Sequence, residues 1–354
     1  MDDSNLLVEI KDLHTNFYLA EGVVRAVDGV DMKIRRGQTL GVVGESGCGK
    51  SVTSLSLMSL LPPAAKIDSG EILYYSKQNT PNGDGNLVKC VDIAKLDPNS
   101  REMRDIRGNQ ISMVFQEPMT AMIPVRTVGQ QIMEAITLHR EVSKKDARTL
   151  TVDILRKVGM PRPEKVFDDY PFQLSGGMRQ RAVIAMALSC NPSLLIADEP
   201  TTALDVTTEA QILDLMRALQ NDLGMAIMYI THNLGVVAEM AKEVAVMYLG
   251  KIVEQTDVES IFFEPLHPYT RGLLSSIPHL DESVLHHDRS RRLNVIKGMV
   301  PDPYSRLSGC PFHPRCPDAI PNLCDKIVPG EIQVKAAHMV RCHLYGDQKA
   351  EKQA

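Results

Sequence analysis

The chain has 354 residues, 44% hydrophobic and 23% charged, with a formal net charge of -5. That length buries a sizeable core and predicts one large domain with a smaller C-terminal part, while the acidic balance argues against a generally basic nucleic-acid-binding surface. No run reaches the about eighteen apolar residues of a membrane span, and Met1-Asp2-Asp3-Ser4-Asn5 lacks a basic and apolar targeting signal.

Residues 6 to 43 read as antiparallel strands with a turn near Ala20 to Gly22, ending in the apolar run Thr39-Leu-Gly-Val-Val, a buried strand. The run Gly44-Glu45-Ser46-Gly47-Cys48-Gly49-Lys50-Ser51 follows, and Lys50 to Leu61 reads as a helix. A Gly-x4-Gly-Lys-Ser motif between strand and helix is a phosphate-binding loop. Its glycines let backbone N–H groups close around phosphate oxygens, and the helix start adds donors and a favourable dipole. Lys50 is expected on the β and γ phosphates and Ser51 on Mg²⁺.

Ser76 to Arg107 is polar, with a loop signal at Pro81-Asn82-Gly83-Asp84-Gly85. Gln116 then follows the apolar run Ile111 to Phe115. Val128 to Ala187 reads as largely helical; Ser143 and Asp146 have the pattern of an N-terminal cap, and Ala147, Leu150, Ile154 and Val158 share a core face. The run Leu194-Leu195-Ile196-Ala197 ends in Asp198-Glu199. Two acids at the end of a buried strand are costly without cations or donors. Asp198 suits Mg²⁺ through water, and Glu199 suits polarisation of an attacking water.

A helix from Val206 to about Leu223 leads to a strand ending at His232, followed by a strand over Val244 to Leu249. Strands alternating with helices predict an α/β fold with a parallel sheet, and ligands collect beyond the carboxyl ends of such strands. Gln116 is thereby a candidate sensor of metal or water and His232 a γ-phosphate contact; viewed singly, each is equally an ordinary loop residue. Pro265, Pro268 and Pro278 predict a boundary near residues 258 to 265.

Taken with Leu174-Ser175-Gly176-Gly177-Met178 and Ala203-Leu204-Asp205, these motifs resemble the ATP-binding cassette (ABC) family over about residues 6 to 255. The resemblance implies an α/β P-loop NTPase of the ABC type, with an antiparallel β subdomain and a helical signature subdomain near 128–180. It implies ATP as substrate, Gln116 as the Q-loop glutamine, Leu174 to Met178 as the signature, and His232 as the switch histidine. Two cassettes would pack head to tail, so that Ser175, Gly176 and Gly177 meet the γ phosphate held by the opposite subunit. The nucleotide contacts expected on one subunit are Gly44, Glu45, Ser46, Gly47, Cys48, Gly49, Lys50, Ser51, Val52, Gln116, Asp198 and His232. Ser51, Gln116 and Asp198 would hold Mg²⁺, while Lys50, Gln116, Glu199 and His232 would carry catalysis. Phe17 is the expected adenine-stacking aromatic, with Tyr18 second.

Longer strings, including Gln116-Glu117-Pro118-Met119, His232 to Glu239 and His267-Pro268-Tyr269-Thr270, are similar to the ATPase subunits of oligopeptide and dipeptide importers. That resemblance implies a second, related ATPase subunit, two integral membrane permease subunits, an extracellular substrate-binding protein and a peripheral position on the cytoplasmic face of the membrane, with no nucleic acid. Oligosaccharide or nickel cargo is the alternative, and a soluble ABC ATPase acting on nucleic acid or ribosomes is another. Two departures stand out: Ala121-Met122-Ile123-Pro124 where the subgroup has Ser-Leu-Asn-Pro, and Asn233 where an aspartate is common.

The expected division is an ABC domain over 1–260 and an importer-type C-terminal region over 261–354, read as a small cysteine-rich appendix. Cys310, Cys316, Cys324 and Cys342 lie in it. Four thiolates ligate either zinc or an iron–sulfur cluster, and the importer resemblance implies [4Fe-4S], with zinc as the alternative. Free or oxidised cysteines are the remaining reading; a cluster would most simply staple a proline-rich segment, with electron transfer or redox control as the second role. His313, His338 and His343 are secondary ligand candidates.

Overall fold

The structure is a computed structural model that describes residues 5–78, 87–116, 121–202, 204–277, 296–305 and 307–349. The expected loop at Pro81 to Gly85, Glu117-Pro118-Met119 of the Q-loop string, Ala203 and Pro278 lie outside these residues. Strands β1 (Leu6–Leu19) and β2 (Gly22–Arg35) form the expected antiparallel hairpin, with β4 (Ala65–Gln78) and β5 (Leu87–Asp92) completing a sheet of order β2-β1-β4-β5.

The second sheet carries the site. Its order is β11-β12-β10-β9-β3-β8-β7-β6. β3 (Thr39–Val43), β6 (Ile111–Val114), β7 (Leu194–Asp198), β8 (Ala226–Thr231) and β9 (Glu243–Tyr248) run parallel, from β9 in the middle of the sheet to β6 at its edge. Every residue of β3, β7 and β8 is buried, which is why these strands read as continuous apolar runs and not as alternating ones. The register pairs Val43 with Thr231, Asp198 with Ile230 and Val114 with Ala197. The segments beginning at Gly44, Phe115, Glu199 and His232 therefore leave the sheet at the same edge.

The helix after the phosphate loop spans Lys50–Leu57 and stops short of Leu61. Ser59 takes a positive φ of 51°, and Pro62 and Pro63 follow, so no further helical turn can form. Between β6 and β7 stand the helices Val128–His139, Lys144–Lys157, Pro163–Val166 and Gly176–Leu188. Ser143 Oγ accepts from Asp146 N at 3.2 Å, the predicted cap. Ala147, Ile154 and Val158 are buried with Val128, Ile132, Ile136, Val183 and Ile184, and Leu150 packs against them. This subdomain thus has its own apolar centre, continuous with the side of the sheet that carries Leu195 and Ile227.

The C-terminal region is not a distinct cysteine-rich appendix. β12 (His338–Val340) pairs antiparallel with β10 (Lys251–Asp257), and β11 (Ile332–Lys335) pairs with β12, so the tail extends the main sheet. Glu254, fully buried on β10, accepts from Leu266 N at 2.7 Å and His267 N at 2.9 Å and lies 2.7 Å from His338 Nε2. Sequence spacing gave no hint of that join.

The cluster assignment is also corrected. Among the described residues no group of three or more His, Cys, Asp or Glu side chains is arranged to hold a metal ion. That finding removes both [4Fe-4S] and zinc, and Cys310, Cys316, Cys324 and Cys342 are free thiols. Cys310 and Cys324 are instead part of an apolar cluster with Val43, Tyr248, Tyr269 and Phe312, and Cys324 Sγ accepts from Ile320 N at 3.3 Å. Burial pushes the thiols of Cys310, Cys316 and Cys342 up to about 11. His338 serves Glu254, while His313 and His343 bond the carbonyls of Cys310 and Ile327. No helix among the described residues is long and apolar enough to cross a membrane.

Candidate functional site

The phosphate loop is shaped by what surrounds it. Gly44 has φ 156° and a Cβ there would strike the carbonyl of Met247; Gly49 has φ 106° and a Cβ would strike the carbonyl of Ala26. Neither position accepts a side chain. Lys50 is buried, and its ammonium donates to the carbonyls of Gly44 at 2.8 Å and Glu45 at 3.2 Å. Its charge is thereby held against the loop's own carbonyls. Cys48 is buried beneath the loop, its Sγ where a Cβ on Gly44 would press.

Beyond the carboxyl ends of β6, β7 and β8, two predicted residues, Gln116 and His232, converge with Thr202 on the carboxylate of a third, Glu199. Glu199 Oε2 accepts from Gln116 Nε2 at 2.9 Å and from Thr202 Oγ1 at 3.1 Å, while Oε1 lies 3.1 Å from His232 Nδ1. Glu199 sits at φ 46° with its N–H donating to Ile230 O at 2.9 Å. A non-glycine residue held in that region carries strain that its surroundings must offset. Partial burial opposes ionisation, but the hydrogen bond and charge of His232, with Thr202 and Lys50, outweigh it and hold Glu199 below the usual carboxylate range. The group is an anion able to accept a proton from water.

Asp198, one residue earlier, faces the opposite balance. Burial raises its carboxyl, with the charge of Glu199 adding to this, while a hydrogen bond from Ser51 and the charge of Lys50 work against it. Its Oδ1 is buried with no hydrogen-bond partner. An orphaned carboxylate oxygen beside a serine hydroxyl is a hard-oxygen donor set of the kind Mg²⁺ takes, so the residues fit that ion. The remaining Mg²⁺ candidate, Gln116, has its amide nitrogen committed to Glu199, which leaves its carbonyl oxygen as the metal-binding end.

The signature does not join this cluster within the chain. Ser175 caps the helix Gly176–Leu188, its Oγ accepting from Met178 N at 3.3 Å. Ser175 and Gly176 are exposed, so the helix presents its unbonded first N–H groups outward. Asp205 caps the next helix, Val206–Leu223, through Thr208 N and Oγ1 at 2.9 and 2.8 Å. Asn233 likewise caps the helix Leu234–Met240 by accepting from Gly235 N at 3.0 Å, a role an amide oxygen fills as an aspartate would.

Phe17 is half-buried near the end of β1. Two residues earlier Thr15 Oγ1 meets Ser56 Oγ at 2.9 Å, which brings this end of β1 over the helix Lys50–Leu57. Tyr18 is committed elsewhere: its hydroxyl donates to Asp68 at 2.7 Å and Lys66 lies 5.0 Å from its ring centroid. Of the departing string, Met122 is buried and Ile123 exposed.

Sequence reasoning missed residues that act on the loop from a distance. Tyr269 and Arg315 both reach Glu45, and Thr202 supports Glu199. Tyr269 drew notice only as part of a family-like string, and nothing local marks it or Arg315 as a neighbour of the phosphate loop.

A strand, phosphate loop and helix, with acidic and amide groups gathered at the carboxyl edge of a parallel sheet, define a nucleotide-hydrolysing P-loop enzyme. The profile of the "ABC transporter" family matches residues 27–202 and that of "Oligopeptide/dipeptide transporter, C-terminal region" matches 253–324. The chain is 47% identical over 347 residues to the "Oligopeptide transport ATP-binding protein AppD" of Bacillus subtilis, covering 98% of this chain and 99% of the relative. It is also 47% identical over 346 residues to the "Dipeptide transport ATP-binding protein DppD" of the same organism, with 98% and 96% covered. Among solved structures, the "Dimeric structure of a post-hydrolysis state of the ATP-binding cassette MJ0796 bound to ADP and Pi" aligns with TM-score 0.59 and 25% identity, covering 71% of this chain and 99% of that one. The chain belongs to the ABC transporter ATPases, in their oligopeptide/dipeptide branch, and is an ABC-type ATPase.

Proposed function

We propose that this chain is the ATP-hydrolysing subunit of a membrane importer for oligopeptides or dipeptides. The observation that carries the chemistry is the convergence of Gln116, Thr202 and His232 on the carboxylate of Glu199, at the sheet edge that also carries Lys50 and Asp198. Peptide cargo is favoured over oligosaccharide or nickel by the oligopeptide and dipeptide transport proteins among its relatives and by the matching C-terminal region.

In this reading Lys50 neutralises charge on the β and γ phosphates. Glu199, kept anionic, orients the attacking water and draws off its proton, while His232 stabilises charge on the γ phosphate and Gln116 reports the state of the site to the membrane subunits. Ser51, Asp198 and Gln116 would hold Mg²⁺, which supplies electrostatic neutralisation of the phosphates. Phe17 stacks on adenine, and residues 44 to 52 line the triphosphate.

The exposed Ser175 and Gly176, with the half-buried Gly177, complete the site of a second cassette packed head to tail, a reading favoured by the dimeric relative. The assembly would add two permease subunits and an external peptide receptor, with this subunit at the cytoplasmic face. The experiment is reconstitution with the permease pair, the second cassette and the receptor: ATP-dependent peptide uptake is expected, and uptake that persists when neither cassette can bind or cleave ATP overturns the proposal.

A further inference from the structure

The second residue of the phosphate loop is gripped by the C-terminal region. Arg315 Nη1 and Nη2 donate to Glu45 Oε2 and Oε1 at 2.6 and 3.0 Å, a bidentate pair. Tyr269, in the helix Pro268–Ser275, accepts at its hydroxyl from Glu45 N at 2.9 Å. The carbonyl of the same Glu45 accepts from Lys50 Nζ and from Cys48 N, each at 3.2 Å. Side chain, N–H and carbonyl of one residue thus link the tail to the phosphate-binding ammonium.

The grip is a built pocket. The Arg315 side chain is only 4% exposed; its Nε donates to Lys297 O at 3.3 Å and its Nη1 to Tyr248 Oη at 3.4 Å. Phe312 packs edge-on to Tyr248, with ring centroids 5.2 Å apart, and against Tyr269 at 5.4 Å. A planar guanidinium held by hydrogen bonds to Glu45, Lys297 O and Tyr248 Oη, with the Tyr248 ring centroid 5.8 Å from its carbon, imposes orientation as well as charge.

We infer that Arg315 and Tyr269 are positioning residues for the ATP site, through which the C-terminal region sets the shape of the phosphate loop and hence nucleotide affinity. The inference rests on reading residues 44 to 51 as the nucleotide loop. A pre-shaped loop binds ground state and transition state alike, so its loss falls on KM and spares kcat.

The test compares wild type, Arg315→Gln, Arg315→Lys, Tyr269→Phe, Glu45→Gln and the double variant Glu45→Gln/Arg315→Gln. ATP KM and kcat are measured in the assembled importer and MgADP affinity on the full chain, with melting temperature recorded for each. Arg315→Gln and Glu45→Gln are each expected to weaken nucleotide binding about tenfold with kcat within about twofold, and the double variant to be no worse than either. Arg315→Lys, which keeps charge but not the fork, is expected to recover about half of that loss on a logarithmic scale. Wild-type KM in Arg315→Gln, or strictly additive losses, overturns the inference. Should Arg315→Gln fail to fold, wild-type KM in both Arg315→Lys and Tyr269→Phe overturns it equally. Lys50→Ala serves as reference: if it too binds nucleotide normally, the loop assignment has failed and not the grip.

Discussion

His232 Nδ1 stands 3.1 Å from Glu199 Oε1, with Gln116 Nε2 2.9 Å from the other oxygen of the same carboxylate. The pairing follows from β7 and β8 being parallel neighbours: each residue is the first beyond its strand, and the register brings the two ends level. A histidine on the carboxylate proposed as catalytic fixes its rotamer and favours its ionised form.

Glu199→Gln keeps size and hydrogen bonding but removes the base. It is expected to bind MgATP normally and to lower kcat by on the order of 10²- to 10⁴-fold, the usual worth of a positioned general base. Single-turnover hydrolysis in the assembled complex reads this directly, and turnover near wild type would remove Glu199 from the role.

Asp198→Asn separates stability from function. Burial raises the Asp198 carboxyl, so above its unfolded-state pKa the ionised group opposes folding. The amide is expected to raise the melting temperature of the nucleotide-free protein by a few degrees. The added stability conferred by MgATP over ATP alone should disappear. Both are read in one thermal-shift series with and without Mg²⁺.

His267 makes folding pH-dependent. It is buried and its Nδ1 accepts from Tyr269 N at 3.0 Å, capping the helix that supports the phosphate loop. Burial lowers it to about 4, with Glu254 opposing and Arg271 assisting. Below about pH 6.5 the unfolded chain binds a proton that the folded chain refuses, so stability is complete above that pH and falls towards pH 4. The loss attributable to this group is about 3 kcal/mol. Denaturant titrations from pH 7 to pH 4.5 should show the slope, and His267→Asn, which retains an acceptor, should flatten it.

Gly176→Asp tests the signature without disturbing the fold. A Cβ there meets only Leu204 at an ordinary 3.9 Å, and an acid in the first turn is favourable to the helix dipole. The chain should fold and bind MgATP normally. In the Glu199→Gln background, ATP-dependent dimerisation should be lost because a carboxylate then opposes the partner's γ phosphate; a dimer of unchanged affinity in sedimentation experiments would count against the head-to-tail site.

The legible part of this protein was the part made from contiguous chain. Glycines at 44, 47 and 49 followed by Lys50 and Ser51 read as a phosphate loop because the backbone itself binds the phosphates, and the runs before Asp198 and His232 showed buried strands by their unbroken apolar character. The signature was equally visible, since a helix cap and its exposed N–H groups are set by neighbouring residues. The four tail cysteines misled because the importer resemblance implied a shared ligand set, whereas the structure leaves them free thiols, with Cys310 and Cys324 buried in one apolar cluster with Phe312 and Tyr248.

Sequence alone thus determined the reaction class and the order of parts, since local steric and hydrogen-bonding rules act on adjacent residues. Tertiary structure decided what meets across the chain: β12 joining β10 through buried Glu254, and Arg315 closing on Glu45 from 270 positions away. The reason is physical: a charge in a run of amino acids carries no mark of its partner, and only chain closure and burial select which opposite charge it must meet.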